Sequence, residues 1–276
     1  MAPCAKCGRE VQDNQTHCSF DYEFHGYPNV KFAQREAPVL GERVLNVTDA
    51  LQQQAGSTET VASLRSFAAE TGAVVNADAS FLRTFLNSDR ALYATYRKQL
   101  EAGTRTPAQE EFDKERASAE ALLFGTNAII VYAALAVAGQ GLTSYGHAAM
   151  RLKTEAIDAR ASLLDENSFT FCRKHRLPFP SGHRSTWDER ADLVLAVLGE
   201  KIVAGATDDL PALLLFSEGD RQTDQFIEVH IWGEFSNAAI GRVDTFPDAS
   251  NLTEEFDLLL AREAALRLGV EWIEHE

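Results

Sequence analysis

The sequence predicts an α+β protein with a small metal-bound ribbon at its start, a helical middle region and a mixed or antiparallel β-rich C-terminal half. Three observations predict this. Three of the four cysteines fall at Cys4, Cys7 and Cys18. Between residues 45 and 124, apolar side chains recur at helical spacing between capping and stop residues. From 125 onward, short apolar or alternating runs interleave with helical ones. The clearest is "QFIEVHIWGEF" (225–235), which as a strand puts Ile227, Val229 and Ile231 on one face and Phe226, Glu228, His230 and Trp232 on the other.

The N-terminal cysteines read as ligands. No apolar leader precedes them, and clustered cysteines in such a chain point to metal rather than disulfides. The spacing is C-x2-C-G, followed ten residues later by C-S-F-D. Zn²⁺ takes four tetrahedral ligands and accepts carboxylate oxygen beside sulfur and nitrogen. Cys4, Cys7, Cys18 and Asp21 can therefore close a site, with His17 and His25 as rival fourth ligands. Gly8 suits a tight turn at the metal. These residues resemble the short zinc-ribbon modules at protein N-termini, including versions that end in C-x-x-D. Such a closed site is structural, and a ribbon this small folds with its metal.

Residues 27–44, with two prolines, one glycine and mixed charge, read as a linker between a ribbon at 1–26 and the helical region at 45–124. In that region "STETVASLRSFAAETG" runs from a Ser57 or Thr58 cap to a Gly72 stop. "ADASFLRTFLNSDRALYATYRKQ" places Phe81, Leu82, Phe85, Leu86, Leu92, Tyr93 and Tyr96 on stripes that read as core. Pro107 marks a further helix start. In 125–276, "AIIVYAALAV" fits a strand or a buried helix equally. A strand ends near Leu152. A helix runs from Thr186 or Asp188 to Gly205, "ALLLFSEG" reads as a buried strand, and a helix from Thr253 to Gly269 precedes a last strand, "VEWIE".

Composition excludes some functions. No apolar run reaches the ~18–20 residues of a membrane span, so the expectation is a cytoplasmic protein with no membrane partner. The net charge of −15 argues against bulk nucleic-acid binding. The basic stretch "CRKHRLPFPSGHR" (172–184) reads as a solvated loop or a phosphate-binding surface. Cys172, near His175, reads as a small buried hydrophobe rather than a nucleophile.

"SYGHAAMRLKTEAIDARASLLDENSF", followed by "FIEVHIWGEF" and a helix ending "LRLGVEWI", resembles the C-terminal modules of ADP-ribosyltransferase-like toxins and effectors. The resemblance covers about 125–276. It implies a split β fold with a cleft for NAD⁺, whose nicotinamide–ribose bond is broken through an oxocarbenium-like transition state. Carried over by matched position, Glu228 is the catalytic carboxylate. His230 orients or deprotonates the acceptor. Tyr145 and Trp232 bound the nicotinamide, Arg160 pairs with the pyrophosphate, and Ser162, Asn167 and Ser168 hold hydroxyl or amide groups. Tyr132, His147 and Arg151 are the candidates for a residue that grips NAD⁺ from the first strand. The Glu-x-Glu pair of arginine-modifying members is absent, since this chain has "EVH". The resemblance thus implies NAD⁺ hydrolysis or transfer to another protein or nucleic-acid acceptor. The alternative is a non-catalytic adaptor that binds a protein partner through the ribbon and helical region.

Overall fold

One mixed sheet runs through the computed structural model, which describes residues 2–55, 58–101, 111–125, 128–206, 209–221, 223–246 and 252–275. Its strands are β1 (Gly72–Ala77), β2 (Ile130–Ala136), β3 (Ala148–Leu152), β4 (Ala161–Leu164), β5 (Arg184–Thr186), β6 (Glu228–Trp232), β7 (Ile240–Thr245) and β8 (Glu271–Glu274). The spatial order is β8-β7-β3-β1-β2-β6-β4-β5. All neighbours are antiparallel except β7 and β8. The helices are α1 (Pro28–Ala55), α2 (Thr58–Glu70), α3 (Ala79–Leu86), α4 (Tyr96–Glu101), α5 (Glu111–Phe124), α6 (Ser168–Lys174), α7 (Arg190–Val203), α8 (Leu210–Leu214) and α9 (Leu252–Arg267). Among the described residues, no helix is long and apolar enough to cross a membrane.

Strand alternation divides the core into two layers. Ala73, Val75 and Ala77 of β1, Val131, Ala133 and Leu135 of β2, and Ile227, Val229 and Ile231 at β6 meet α1, α2, α3, α7 and α9. Each large side chain buried there contributes roughly 1.5–3 kcal/mol relative to exposure. The opposite face is covered more thinly. Ile130, Leu164 and Trp232 pack under Phe124 of α5 and Phe171 of α6. Val74, Ala134 and Ala136 pack under Leu142, Leu215 and Phe226.

Two sequence expectations change here. Residues 28–44 are not a linker but the first part of α1. Pro28 opens the helix, where its missing N–H costs nothing, and Pro38 lies inside it. The buried positions Ala33, Leu40, Val44, Val47 and Leu51 form one continuous helical stripe against α7 and the sheet. The region 45–124 is not purely helical either. Gly72 stops α2 as expected but also begins β1, the strand between β2 and β3. The expected boundaries at 44 and 124 therefore fall inside one packed core. "ALLLFSEG" also differs: its first three residues end the short helix α8, whose Asp209 side chain accepts from the Ala212 N–H, and only Leu215–Phe216 is extended. "AIIVYAALAV" resolves as β2. The cap expected at Thr253 lies within α9. Pro107 lies outside the described residues.

The basic stretch 172–184 is clipped down at its end, while Arg173, Lys174 and Arg176 stay exposed. Glu36 of α1 accepts the backbone N–H groups of Gly182, His183 and Arg184 at 3.0–3.2 Å and pairs with the Arg184 guanidinium at 3.3 Å. Lys174 pairs with Glu166, and His183 with Asp165. Arg43 of α1 reaches both Asp165, at 2.8 Å, and Glu200 of α7, at 2.6 Å. Burial pushes the Asp165 carboxyl up, but the bond from His183 and the charges of His183 and Arg43 outweigh it and hold the group below its usual range.

Two predictions follow from these contacts. A carboxylate whose folded pKa is depressed stabilises the fold above its unfolded value of about 3.9, and that stability is lost as pH falls through the folded value. Asp165→Asn should therefore cost about 2–4 kcal/mol at neutral pH and flatten the acid limb of unfolding free energy against pH. An acid limb matching wild type would contradict this role. Gly146 has φ +134°, and an added Cβ would sit 2.3 Å from the carbonyl carbon of Ala77, a backbone atom that cannot rotate away. Gly146→Ala should lower stability by about 2–4 kcal/mol in urea titration.

Candidate functional site

Strands β1 and β2 run together only briefly. They pair at Gly72–Ala136, Ala73–Leu135 and Val74–Ala134, and there the ladder ends. Beyond that point β1 continues with β3, and β2 continues with β6. A hollow of about 80 Å³ opens at this fork, lined by Val74, Asn76, Tyr132, Tyr145, Phe169 and Glu228 among others. At ~10–15 Å³ per water, it holds a small ring or a few waters rather than a whole dinucleotide.

Glu228 reaches the hollow from β6, where it lies directly across from Ala134, the last β2 residue paired with β1. It is 4% exposed. A carboxylate taken so far from water needs donors. Its Oε2 accepts the backbone N–H of Ser168 at 2.8 Å and lies 2.9 Å from Nε2 of His230. Asn167 Nδ2 approaches Oε1 at 3.4 Å. Because the carboxylate accepts, His230 carries its proton on Nε2. Its Nδ1 is buried with no hydrogen-bond partner among the described residues. The ring lies edge-on to Phe124 and Tyr132, with centroids 4.7 and 5.5 Å away.

Local sequence explains why these groups converge. Asn167 caps α6, its Oδ1 accepting from the Phe169 and Thr170 N–H groups, so the Ser168 N–H is left to point at Glu228. Asn76 holds the segment that carries Tyr145: its Oδ1 accepts the Leu142 N–H at 2.8 Å, and its Nδ2 donates to the Gly146 carbonyl at 2.9 Å. Tyr145 sits in a 3-10 turn before β3, with the Arg221 guanidinium 4.5 Å from its ring centroid. The Tyr132 hydroxyl donates to Glu120 of α5 at 3.0 Å.

Of the residues expected at one site, the structure gathers Glu228, His230, Asn167, Ser168 and Tyr145. Ser168 contributes through its backbone N–H. Three others lie elsewhere. The Arg160 guanidinium donates to the carbonyls of Ala156, Trp232 and Glu234 at 2.7–3.0 Å, so it fastens the turn after β6 instead of facing the hollow. Trp232 is packed with Phe124 and Phe171 in the thin-face core. Ser162 receives the Asn29 side chain, whose Nδ2 also lies within reach of the Arg160 and His230 carbonyls. Of the three expected first-strand candidates, Tyr132 lines the hollow. His147 pairs with Glu254, and Arg151 donates to the Glu70 carbonyl. Asn76 and Phe169 were not anticipated. Asn76 had a readable signal, a lone amide on an otherwise apolar "GAVVNA" run, but only the β1 assignment gives it meaning. Cys172 is half-buried, and burial pushes its thiol up to about 11, with Arg184 opposing and Glu228 adding to the rise. This is the reverse of what a nucleophilic thiolate needs.

The N-terminal cluster forms as expected. The ligand atoms of Cys4, Cys7, Cys18 and Asp21 all lie within 4.8 Å of one another and could hold a metal ion. Two similar knuckles present them. Gly8 N–H donates to the Cys4 carbonyl and Tyr22 N–H to the Cys18 carbonyl, and both Gly8 and Tyr22 have positive φ, 73° and 60°. The rival ligands stay outside: His17 bonds the Thr16 hydroxyl and packs on Phe24, and His25 is not in the cluster. A backbone N–H at Arg9 favours the Cys7 thiolate, but burial and its acidic neighbours outweigh it and push the group up to about 12. Cys18 and Asp21 are held below their usual ranges, Cys18 by the backbone N–H groups of Asp21 and Phe20 and Asp21 by that of Glu23, and a bound cation would favour the charged form of every group in the cluster.

No protein-family model matches the sequence, and no curated protein matches it.

The cluster predicts one bound divalent ion per chain by elemental analysis. Cys18→Ser should lose that ion, His17→Ala should keep it, and chelation should speed hydrogen exchange in residues 2–26 while sparing the sheet. Retention of the ion by Cys18→Ser would rule out this ligand set.

Proposed function

We propose that this protein is a NAD⁺-consuming enzyme of ADP-ribosyltransferase-like type, with Glu228 as its catalytic carboxylate. One observation carries the reading: a buried carboxylate opens onto a ring-lined hollow at a fork in the sheet. In this reading the fork is the family's cleft. The nicotinamide ring enters between Tyr132, Tyr145 and Phe169, and the rest of the dinucleotide stays at the mouth.

The bond between ribose C1′ and the nicotinamide nitrogen breaks, and its electron pair leaves with nicotinamide. Glu228 faces the positive charge that develops on the ribose. Oε1, held only by the long Asn167 contact, is the oxygen available to the sugar. An acceptor oxygen or nitrogen then attacks C1′ and gives up its proton. His230 acts as a positioning residue, because its Nε2 is committed to Glu228 and it is 1% exposed. With histidine where arginine-modifying members carry a second carboxylate, the acceptor is water or a group other than arginine.

The ribbon is proposed to hold structural Zn²⁺, since three thiolates and one carboxylate fill a tetrahedron and leave no open position. Reduced metal-binding thiols fit a cytoplasmic setting. Phe20, Tyr22 and Phe24, exposed on the ribbon, would face a protein partner. A second reading rests on the Ser168 bond: Glu228 anchors α6 and the module is a non-catalytic adaptor.

Incubation with labelled NAD⁺ separates the two. The enzyme reading expects nicotinamide release, a thermal midpoint that rises with NAD⁺ (about 2.7 kcal/mol at a hundredfold excess over Kd), and a loss of roughly 10²–10³ in turnover for Glu228→Gln. If NAD⁺ neither shifts the midpoint nor is consumed, and Glu228→Gln only lowers stability, the adaptor reading stands instead.

A further inference from the structure

Helix α9 is apolar on two opposite sides. One side, with Leu258, Ala261, Ala264 and Ala265, packs into the main core. The other presents Leu252, Phe256, Leu259 and Leu266, which are 78%, 58%, 54% and 64% exposed. With Glu263, these positions step by four, three, four and three residues, the seam of a coiled coil. A surface helix ordinarily turns a polar stripe to solvent, and clustered apolar exposure marks an interaction surface.

We propose that this face packs antiparallel against α9 of a second copy of the chain, across a two-fold axis. The charges beside the seam select that occupant. The first turn of α9 is acidic at Glu254 and Glu255, and its last turn carries Arg267. On one flank of the seam lie Glu255 and Arg262; on the other lie Thr253, Leu260 and Arg267. In the antiparallel arrangement Glu255 of each copy faces Arg262 of the other, so symmetry supplies the attraction twice. A parallel pair would set Arg262 against Arg267 of the other copy twice, which disfavours it. Among the described residues Arg262 pairs with Glu274, each side chain about half exposed, and such a pair exchanges at little cost. α9 is ordered by the sheet beneath it, so association does not have to nucleate a helix. Its 16 residues span about 24 Å, which puts the contact at the small end of specific interfaces.

Sedimentation of the full chain over a concentration series tests this. The mass should climb from 30.4 kDa toward twice that value. Phe256→Glu and Leu259→Glu, both at exposed positions, should each hold it at the monomer without changing the thermal midpoint of the dilute protein. Glu255→Arg and Arg262→Glu should each weaken association about tenfold or more alone, and an equimolar mixture of the two should recover it. A wild-type chain that stays monomeric throughout would overturn the proposal. So would association that survives Phe256→Glu, or a mixture of charge variants that fails to recover.

Discussion

Glu228 stands in the middle of a sheet face, on a strand flanked on both sides, with almost none of its surface in water. Removing a carboxylate from water costs several kcal/mol unless donors replace the solvent. Much of the thin face is arranged around that demand. α6 begins where its first N–H meets Oε2, and the N-terminal end of a helix carries partial positive charge suited to an anion. The cap residue Asn167 serves both the helix and the carboxylate. His230 supplies a ring N–H from two residues along the same strand. A carboxylate held at this depth is fixed in direction, which a solvated one is not, and it borders a space that the forked strands leave unfilled.

The fork has its own cause. β1 is drawn toward β3 by four registered pairs, from Val74 with Arg151 to Ala77 with Ala148, and Asn76 ties the following segment back across its end. β2 is drawn the other way by five pairs with β6. Ala134, a small residue where the ladder ends, does not fill the gap. The ribbon joins this arrangement from outside. Lys31 of α1 donates to the Gln15 carbonyl at 2.7 Å and Arg35 pairs with Asp13, while Asn29, one helical step into α1, reaches the backbone of β6. The cysteine cluster and the carboxylate thus connect to the same helix, which is the reason α1 cannot be a linker.

What could be read from the sequence was what local chemistry determines. Alternation in 225–235 placed Glu228 and His230 on one face and Ile227, Val229 and Ile231 on the other, because a strand has only two faces. Ligand spacing placed Asp21 with the three cysteines, because two short knuckles repeat one geometry. What could not be read was what distant partners determine. Pro28 and Pro38 made α1 look like a break, yet its buried stripe is stabilised by α7, more than 140 residues away. The six-residue β1 lay hidden behind a helix-stopping glycine, and its place in the sheet depends on strands that arrive later in the chain. Arg160 kept its expected neighbourhood but not its expected task. Its guanidinium satisfies carbonyls at the end of β6, an obligation of the backbone that no side-chain pattern announces.

His230 gives the strongest physical reason to read the pair as more than support. If anchoring α6 were all that β6 had to do, Glu228 would need a donor at position 230 and nothing else. An imidazole brings a second nitrogen, and here the ring lies against Phe124 and Tyr132 and its Nδ1 has no hydrogen-bond partner among the described residues. An orphaned polar atom of that kind costs about 1–3 kcal/mol. Local costs of this sort concentrate where a side chain is held for chemistry. A hollow lined by rings, a carboxylate fixed in direction and an imidazole bonded to it thus lie together where the sheet forks.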